Sequence, residues 1–291
     1  LNGTYCTGLS SGSTINGATT DSTVSGTIIF NAYPSFAHIP LSSSDRTLSA
    51  GTTADKVLYR FKVTAVGGVV DLYKFTFSIS SSTAPAAAAG ATSSLISLYA
   101  HTGTSDDKNT WAVDTTFSAT GLLNASQCYR SGFANNPDTA FIGTAAGNVN
   151  GSAPSAEILM DKDATSCNTS TATTTYSVPQ GQTRYFELRA TVATVEGVSG
   201  SESFQVGLLG DAAFPTAHQA GAAITGDMGR VGESFENSIR GVEDDTEDDF
   251  IWSPRSTTTS SSRTSLDYSN GYLIQGLPTT NMTLETFTSP N

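Results

Sequence analysis

The sequence predicts an all-β protein, built as a single large antiparallel β-sandwich of the immunoglobulin-like or jelly-roll-like type, with long loop insertions and an extended N-terminal arm. Three observations favour this fold class. Ser and Thr make up about 28% of the 291 residues, and Thr suits the half-exposed face of a sheet. Several segments alternate apolar and polar residues. Charged residues, which long surface helices require, are only 14% of the chain.

Residues 1–22 consist mainly of Gly, Ser, Thr and Asn and contain little to bury, so they predict an extended arm. The first strand is expected over residues 23–33. A β-prone stretch beside a polar arm suits β-strand addition, in which a terminus of one subunit completes a sheet in its neighbour. Residues 1–30 are the first candidate for the donated segment, and residues 279–291 are the second. The residues expected to carry the assembly contact are Thr23, Val24, Ile28 and Phe30.

Residues 56–65 give the clearest strand signal, because one apolar face alternates with a face that carries Leu58, Arg60, Lys62 and Thr64. The apolar members are Val57, Tyr59, Phe61 and Val63. After the Gly67-Gly68 pair, residues 69–80 repeat the alternation. The apolar members of this second run are Tyr73, Phe75, Phe77 and Ile79. The two runs predict an antiparallel hairpin with one buried face.

Further strands are expected at residues 95–100, 156–160, 184–193 and 203–209. The third of these has an alternating apolar face, made by Phe186, Leu188, Ala190 and Val192. Two long, polar, Gly-rich stretches, at about residues 101–155 and 211–270, interrupt the pattern. We interpret them as insertions on a single sandwich domain that covers residues 23–291.

Net charge and hydropathy exclude two classes of partner. A formal charge of −12 and a pI near 4.5 repel nucleic-acid phosphates, and no basic stripe offsets them. No run approaches the roughly 18 apolar residues that a membrane span needs. The chain starts at Leu1 without a hydrophobic leader, which is compatible with a processed, exported product and equally with an arbitrary chain boundary. The composition favours an extracellular or cell-surface location.

The three cysteines predict a disulfide rather than a metal site, because they lack C-x-x-C spacing and clustered His. Cys128 and Cys167 bracket a polar segment and are the expected pair, whose bond would stabilise the fold by about 4 kcal/mol. Cys6 then remains, either as a free thiol or as a link to another subunit.

Five Asn-x-Ser/Thr triplets would accept glycans if the source glycosylates them, although a chain so rich in Ser and Thr contains several such triplets by chance. They begin at Asn2, Asn124, Asn150, Asn168 and Asn281.

An acidic run places six carboxylates within residues 243–249. Carboxylates this close repel one another, so the segment either stays solvated or gathers cations, of which Ca²⁺ fits best. The spacing of an EF-hand is absent. The candidate ligands are Glu243, Asp244, Asp245, Glu247, Asp248 and Asp249. No other cofactor is expected.

Trp252 follows the acidic run, beside Phe250 and Ile251. An exposed Trp at this place would stack on a sugar ring, whereas a buried one would anchor a crossing loop in the core. Both interpretations stay open, and anchoring is favoured.

No motif indicates catalysis. His38, His101 and His218 lie far apart and are expected at surface or turn positions. One G-x-S-x-G occurs at residues 8–12, but it lacks the strand before and the helix after that a nucleophile elbow needs. H-E-x-x-H, a P-loop and the dinucleotide-binding glycine motif are absent. We therefore expect a protein that is not an enzyme.

Several segments carry a family resemblance. At the C-terminus these are DDFIWS (248–253), DYSNGY (267–272) and GLPTTN (276–281). Upstream they are KVLYRFKVT (56–64), LYKFTF (72–77) and RYFELRAT (184–191). The set resembles large secreted surface proteins encoded by uncultivated bacteria with small genomes. The resemblance implies a β-sandwich surface protein, such as a surface-layer or appendage subunit, and it implies no activity for any residue.

These observations favour a structural subunit of an extracellular filament or surface lattice, pilus-like in its assembly from copies of itself by strand addition. One alternative is a surface adhesin or carbohydrate-binding module that uses Trp252 and the long insertions. A third is a coat or fibre protein of a virus or phage. The expected partners are other copies of the chain, with other surface proteins or glycans as further candidates.

Overall fold

The computed structural model describes residues 5–7, 14–16, 30–82, 92–124, 130–131, 155–160, 175–194, 203–212, 249–255 and 269–288. These residues form β-strands, turns and one short 3₁₀ helix (Lys108–Thr110), and they include no α-helix. The strands are β1 (Tyr5–Thr7), β2 (Thr14–Asn16), β3 (Tyr33–His38), β4 (Thr52–Val66), β5 (Val70–Ser82), β6 (Thr92–Thr102), β7 (Ala112–Val113), β8 (Arg130–Ser131), β9 (Ser155–Leu159), β10 (Tyr176–Val178), β11 (Thr183–Ala193), β12 (Ser203–Leu208), β13 (Phe250–Ser253), β14 (Ser269–Asn270) and β15 (Glu285–Thr288).

Two antiparallel sheets pack face to face, and the prediction of an all-β sandwich is confirmed. The five-stranded sheet has the order β3-β4-β11-β6-β7. The eight-stranded sheet follows the path β14-β13-β5-β12-β15, with β8, β9 and β10 added beside it. β1 and β2 form a separate two-stranded sheet.

β5 is the centre of the eight-stranded sheet and has two successive partners along each edge. β10 pairs with its start and β9 with its middle, on one edge. β13 and then β12 pair along the other edge. β10 and β13 must lie on opposite edges, because both pair with Asp71 and Leu72.

The core lies between the sheets and is rich in aromatic rings. Phe61 of β4 stacks on Phe186 of β11, with ring centroids 4.8 Å apart. Across the sandwich, Phe61 meets Phe75 of β5 edge to face at 5.3 Å. All three rings are fully buried. Aromatic pairs of this kind stabilise a core by about 0.5–1.5 kcal/mol beyond the area they bury.

The predicted hairpin between residues 56–65 and 69–80 is wrong. β4 pairs with β3 and β11, whereas β5 belongs to the opposite sheet. The turn at Gly67 therefore carries the chain from one sheet to the other. Gly67 has a φ of +82°, and a Cβ there would lie 2.4 Å from the carbonyl oxygen of Asn31, so this crossing requires glycine.

The buried face of β5 also differs from the prediction, which placed Tyr73 with Phe75. Ile251 pairs with Lys74 and Trp252 pairs with Leu72, so Tyr73 is an extra residue in a β-bulge. The bulge shifts the alternation, and Leu72 joins Phe75 in the core. Tyr73 is buried outside that cluster.

The other predicted strands coincide with observed ones. Residues 95–100, 156–160, 184–193 and 203–209 overlap β6, β9, β11 and β12. The predicted inward face of β11 is confirmed, since Phe186, Leu188, Ala190 and Val192 all belong to the core. The strand expected over residues 23–33 lies mostly outside the described residues, and β3 starts at Tyr33. The stretch interpreted as a second insertion contains β13, which pairs directly with β5.

Within the described ranges, no helix has the length and hydropathy that a membrane crossing would require.

Candidate functional site

The N-terminal arm contains a two-stranded ribbon, β1 and β2. The strands are antiparallel, with Tyr5 opposite Asn16 and Cys6 opposite Ile15. In the part of the chain that the structure describes, the ribbon pairs with neither large sheet. An isolated two-stranded hairpin is at best marginally stable in water, so this ribbon has the properties of an element that needs a partner.

The chain enters the sandwich at Phe30. The ring of Phe30 lies 5.0 Å from that of Trp252, and Ala32 is completely buried. Phe30, which was predicted to contact a neighbouring subunit, thus packs against the core of its own chain. The other predicted assembly residues, Thr23, Val24 and Ile28, lie outside the described residues.

One edge of the five-stranded sheet is β3, and a loop covers part of it. Pro34 has no N–H to offer at this edge. The N–H of Phe36 donates to the carbonyl of Gln275 at 2.8 Å. Gly276, at a φ of +79°, lies so close that a Cβ would be 1.9 Å from the carbonyl oxygen of Phe36. The middle of the β3 edge is therefore closed to any added strand.

The end of β3 opens into a cleft of about 460 Å³, lined by Ala37, His38, Gly276, Leu277, Pro278, Met282 and Thr283. Alternate residues of an antiparallel strand direct their backbone groups to opposite edges. Ile39 bonds inward to Arg60 and Phe36 bonds outward to Gln275, so the N–H and C=O of His38 face outward, toward the cleft. The cleft thus combines apolar walls with strand-edge backbone groups.

A buried carboxylate lies behind this cleft. Glu285 is 2% exposed and accepts the N–H of Leu41 at 2.8 Å. Its Oε1 is 3.0 Å from Nε2 of His38, and its Oε2 is 3.8 Å from Nε of Arg46. Burial lowers the pKa of His38, although Glu285 opposes this effect. The expectation that His38 is a surface or turn residue is wrong, because it lies on β3 with its side chain 12% exposed.

Tyr59 connects the same region to the far side of the cleft. Its ring lies 4.9 Å from that of His38, and its hydroxyl donates to the carbonyl of Thr283 at 2.7 Å. Burial raises the pKa of Tyr59, and the nearby charge of Glu285 adds to this. The phenol is therefore a fixed hydrogen-bond donor that holds the cleft wall in place.

A second charged cluster lies on the outer face of the five-stranded sheet, around Glu187 of β11. Arg60 Nε donates to its Oε1 at 2.8 Å, and Arg189 Nε donates to its Oε2 at 3.2 Å. His101 Nε2 is 3.5 Å from Oε2. Burial acts to raise the pKa of Glu187, but His101, Arg189 and Arg60 outweigh it and hold the pKa well below its usual range. His101, predicted at a surface or turn position, is instead 8% exposed on β6.

Trp252 is an anchor in the core. It is completely buried, and its Nε1 donates to the carbonyl of Asn270 at 2.7 Å. The anchoring interpretation is confirmed. The alternative role of Trp252 in carbohydrate contact is wrong, because no face of the indole reaches solvent.

The candidate glycan acceptors have different outcomes. Asn124 is completely buried, where its Oδ1 accepts the N–H of Leu98 at 2.8 Å and its Nδ2 donates to the carbonyl of Ile96 at 2.9 Å. The prediction of an acceptor at Asn124 is therefore wrong, because its amide closes the edge of β6. Asn281 is exposed. Asn2, Asn150 and Asn168 lie outside the described residues.

Most of the predicted calcium and disulfide residues also lie outside the described residues, namely Cys128, Cys167, Glu243, Asp244, Asp245, Glu247 and Asp248. Asp249 is described, and its N–H donates to Asp211 Oδ1 at 2.6 Å. The carboxylate of Asp211 also accepts the N–H groups of Phe250 and Gly271, so it joins three chain segments. Within the described ranges, no three acidic, His or Cys side chains converge as a metal site. Calcium remains a prediction.

Comparisons with known proteins give little guidance. No protein-family model matches the chain, and no curated protein matches it. A solved structure described as "AvmM Catalyzes Macrocyclization in Alchivemycin A Biosynthesis" is similar over 67% of this chain and 79% of that chain, with 11% identity and a TM-score of 0.21. At that TM-score the likeness supports no statement about fold or chemistry.

Proposed function

We propose that this protein is a structural subunit of an extracellular filament or surface lattice, which assembles with copies of itself by β-strand addition. The observation that carries the proposal is the β1–β2 ribbon, which pairs only with itself among the described residues. The sandwich, by contrast, buries its own aromatic core from Phe30 onward.

The ribbon has a physical reason to seek a sheet. A lone hairpin is marginal in water, and its outer backbone groups gain hydrogen bonds when they extend a sheet in a neighbour. Such a contact joins two different surfaces, so it is head-to-tail and need not close into a ring. Repetition of a head-to-tail contact produces fibres or lattices.

The acceptor that fits is the β3 edge at the cleft of the next copy. The outward backbone groups of His38 provide hydrogen bonds, and Leu277, Pro278 and Met282 provide apolar contact. Residues 17–29 separate the ribbon from Phe30, and thirteen extended residues span at most about 45 Å. That length is sufficient to reach a neighbouring subunit.

The extracellular location rests on composition. The chain is rich in Ser and Thr and poor in Lys and Arg, and Asn281 offers an exposed glycan-acceptor triplet. The net charge of −12 keeps single subunits soluble before they assemble.

Deletion of residues 1–22 tests the proposal. We expect the truncated protein to keep the circular dichroism spectrum and the thermal unfolding transition of the full-length protein. Electron micrographs of it should show no fibres or sheets.

A matched pair of variants at one ribbon position refines the test. Ile15→Pro removes a backbone donor from β2 and should abolish assembly, whereas Ile15→Val should preserve it. Undiminished assembly of the truncated protein, or a full-length protein that stays monomeric at all concentrations, would overturn the proposal.

A further inference from the structure

The loop between β6 and β7, residues 103–111, is held rigidly by its own hydrogen bonds. The N–H of Thr110 donates to the backbone carbonyl of Asp107 at 2.9 Å, and the N–H of Trp111 donates to the backbone carbonyl of Lys108 at 3.1 Å. The carboxylate of Asp107 accepts the backbone N–H of Asn109 at 3.0 Å. The indole Nε1 of Trp111 donates to the carbonyl of Ser105 at 2.8 Å. These bonds fix the plane of the indole before any ligand arrives.

Trp111 covers an aromatic shelf on the five-stranded sheet. Its indole stacks on the ring of Tyr185, with centroids 4.7 Å apart and planes 28° from parallel. Tyr185 is 4% exposed beneath it. Gly103 permits the approach, since a Cβ there would lie 2.6 Å from Cδ1 of Trp111. Trp111 itself remains partly exposed, in contrast to the fully buried Trp252.

A charged pair borders the same shelf. Lys62 lies opposite Tyr185 in the register of β4 and β11. Its Nζ donates to both carboxylate oxygens of Asp106, at 2.7 and 2.8 Å. The two side chains are 29% and 54% exposed. A donor and an acceptor of hydrogen bonds therefore stand in solvent beside the indole.

We infer that Trp111, Lys62 and Asp106 form a carbohydrate-binding surface that takes a neutral pyranose ring. A pyranose presents an apolar C–H face that suits an aromatic ring, and its hydroxyls need donors and acceptors at the rim. The Lys62–Asp106 pair supplies both. A charged ligand fits less well, because an anion meets Asp106 and a cation meets Lys62.

The test uses the full chain and neutral oligosaccharide probes, namely cellohexaose, maltohexaose and chitohexaose at millimolar concentration. We expect at least one probe to shift the indole resonance of Trp111 in NMR spectra and to leave that of Trp252 unchanged. Trp111→Ala should weaken binding about tenfold, which corresponds to about 1.4 kcal/mol.

Two further variants separate binding from folding. Asp106→Asn changes an exposed side chain and should weaken binding severalfold at unchanged thermal stability. Leu284→Ala is the matched control, because Leu284 is an exposed apolar side chain beside β12 in the other sheet, and this variant should bind as the wild type does. Failure of all three probes to bind, or binding that Trp111→Ala and Asp106→Asn leave unchanged, would overturn the inference.

Discussion

Glu187 and Glu285 are both buried, yet the protein compensates their charges differently. Glu187 has two arginine partners and lies on the outer face of one sheet. Glu285 accepts a backbone N–H and faces His38, and within the described residues its arginine partner is Arg46, which is 41% exposed at 3.8 Å. The site around Glu187 is an ion-pair cluster, whereas Glu285 acts mainly by accepting a hydrogen bond from the backbone. The difference indicates that removing charge will cost more at Glu187.

The largest effect is expected for Glu187→Gln. The change leaves the guanidinium of Arg60, 6% exposed, without its closest countercharge. Breaking a buried pair from one side typically costs about 3 kcal/mol or more. Urea unfolding should show this loss in the free energy of unfolding, and a loss below that of Glu285→Gln would contradict the comparison.

Glu285→Gln should be milder, at about 1 kcal/mol. The amide oxygen of Gln still accepts the N–H of Leu41, and the exposed side of Arg46 remains solvated. The same urea experiment measures it. A loss equal to that of Glu187→Gln would mean that Arg46 and His38 depend on a full negative charge.

Acidification should remove the stability contributions of His38 and of Glu187 in two different pH ranges. Burial holds the pKa of His38 below its ordinary 6.5, so the unfolded chain takes up that proton more readily. The contribution of neutral His38 to the free energy of unfolding is complete above pH 6.5 and declines as the pH falls below that value. The pKa of Glu187 is lower than its ordinary 4.5, so its contribution is complete above pH 4.5 and is lost below that.

Urea midpoints measured between about pH 7.5 and about pH 5 test the first window, which lies where His titrates. His38→Gln should flatten the decline there, and Asp55→Asn, whose carboxylate contacts Arg189 and not a histidine, should leave its slope unchanged. An unaltered slope in the His38 variant would assign the decline to another group.

The smallest effect is expected for Asp55→Asn at the exposed end of the Glu187 cluster. Asp55 Oδ2 lies 3.1 Å from Arg189, but its side chain is 65% exposed. Its φ of +51° suits Asn as well as Asp, so only the ion pair changes. The free energy of unfolding, obtained from thermal unfolding, should fall by less than about 0.5 kcal/mol. A larger loss would show that Arg189 relies on this partner.

Parts of the candidate site could be predicted from the sequence and parts could not. The composition of residues 1–22 predicted an arm outside the sandwich, because these residues have few apolar side chains to bury. The ribbon lies within this arm. Glu187 and Arg189 lie on one outward face of β11, which follows from the predicted inward face of Phe186, Leu188, Ala190 and Val192, because successive side chains of a strand point to opposite faces. The sequence did not indicate that Glu285 is buried and paired, because its partners Leu41 and His38 lie near the other end of the chain.

The two tryptophans show the same limit. Trp252 follows Phe250 and Ile251, which favoured anchoring without deciding it, whereas Trp111 stands between Thr110 and Ala112, where the sequence does not indicate its exposure. Trp252 is buried because β13 is inserted beside β5, and Trp111 stays partly exposed because its loop crosses the outside of a sheet. Exposure depends on which surfaces the fold brings together.

The sequence by itself determined that the alternating segments are strands and, for β11, which side chains face inward, whereas on β4 Leu58 is in the core and Val57, predicted to be there, is only partly buried. A pleated strand sends alternate side chains to opposite faces whatever its neighbours are, so this information is local. Only the tertiary structure decided that β4 and β5 belong to opposite sheets, that Tyr73 forms a bulge, and that His38 meets Glu285. Those outcomes depend on pairing and packing between distant segments, which alternation along a single strand does not encode.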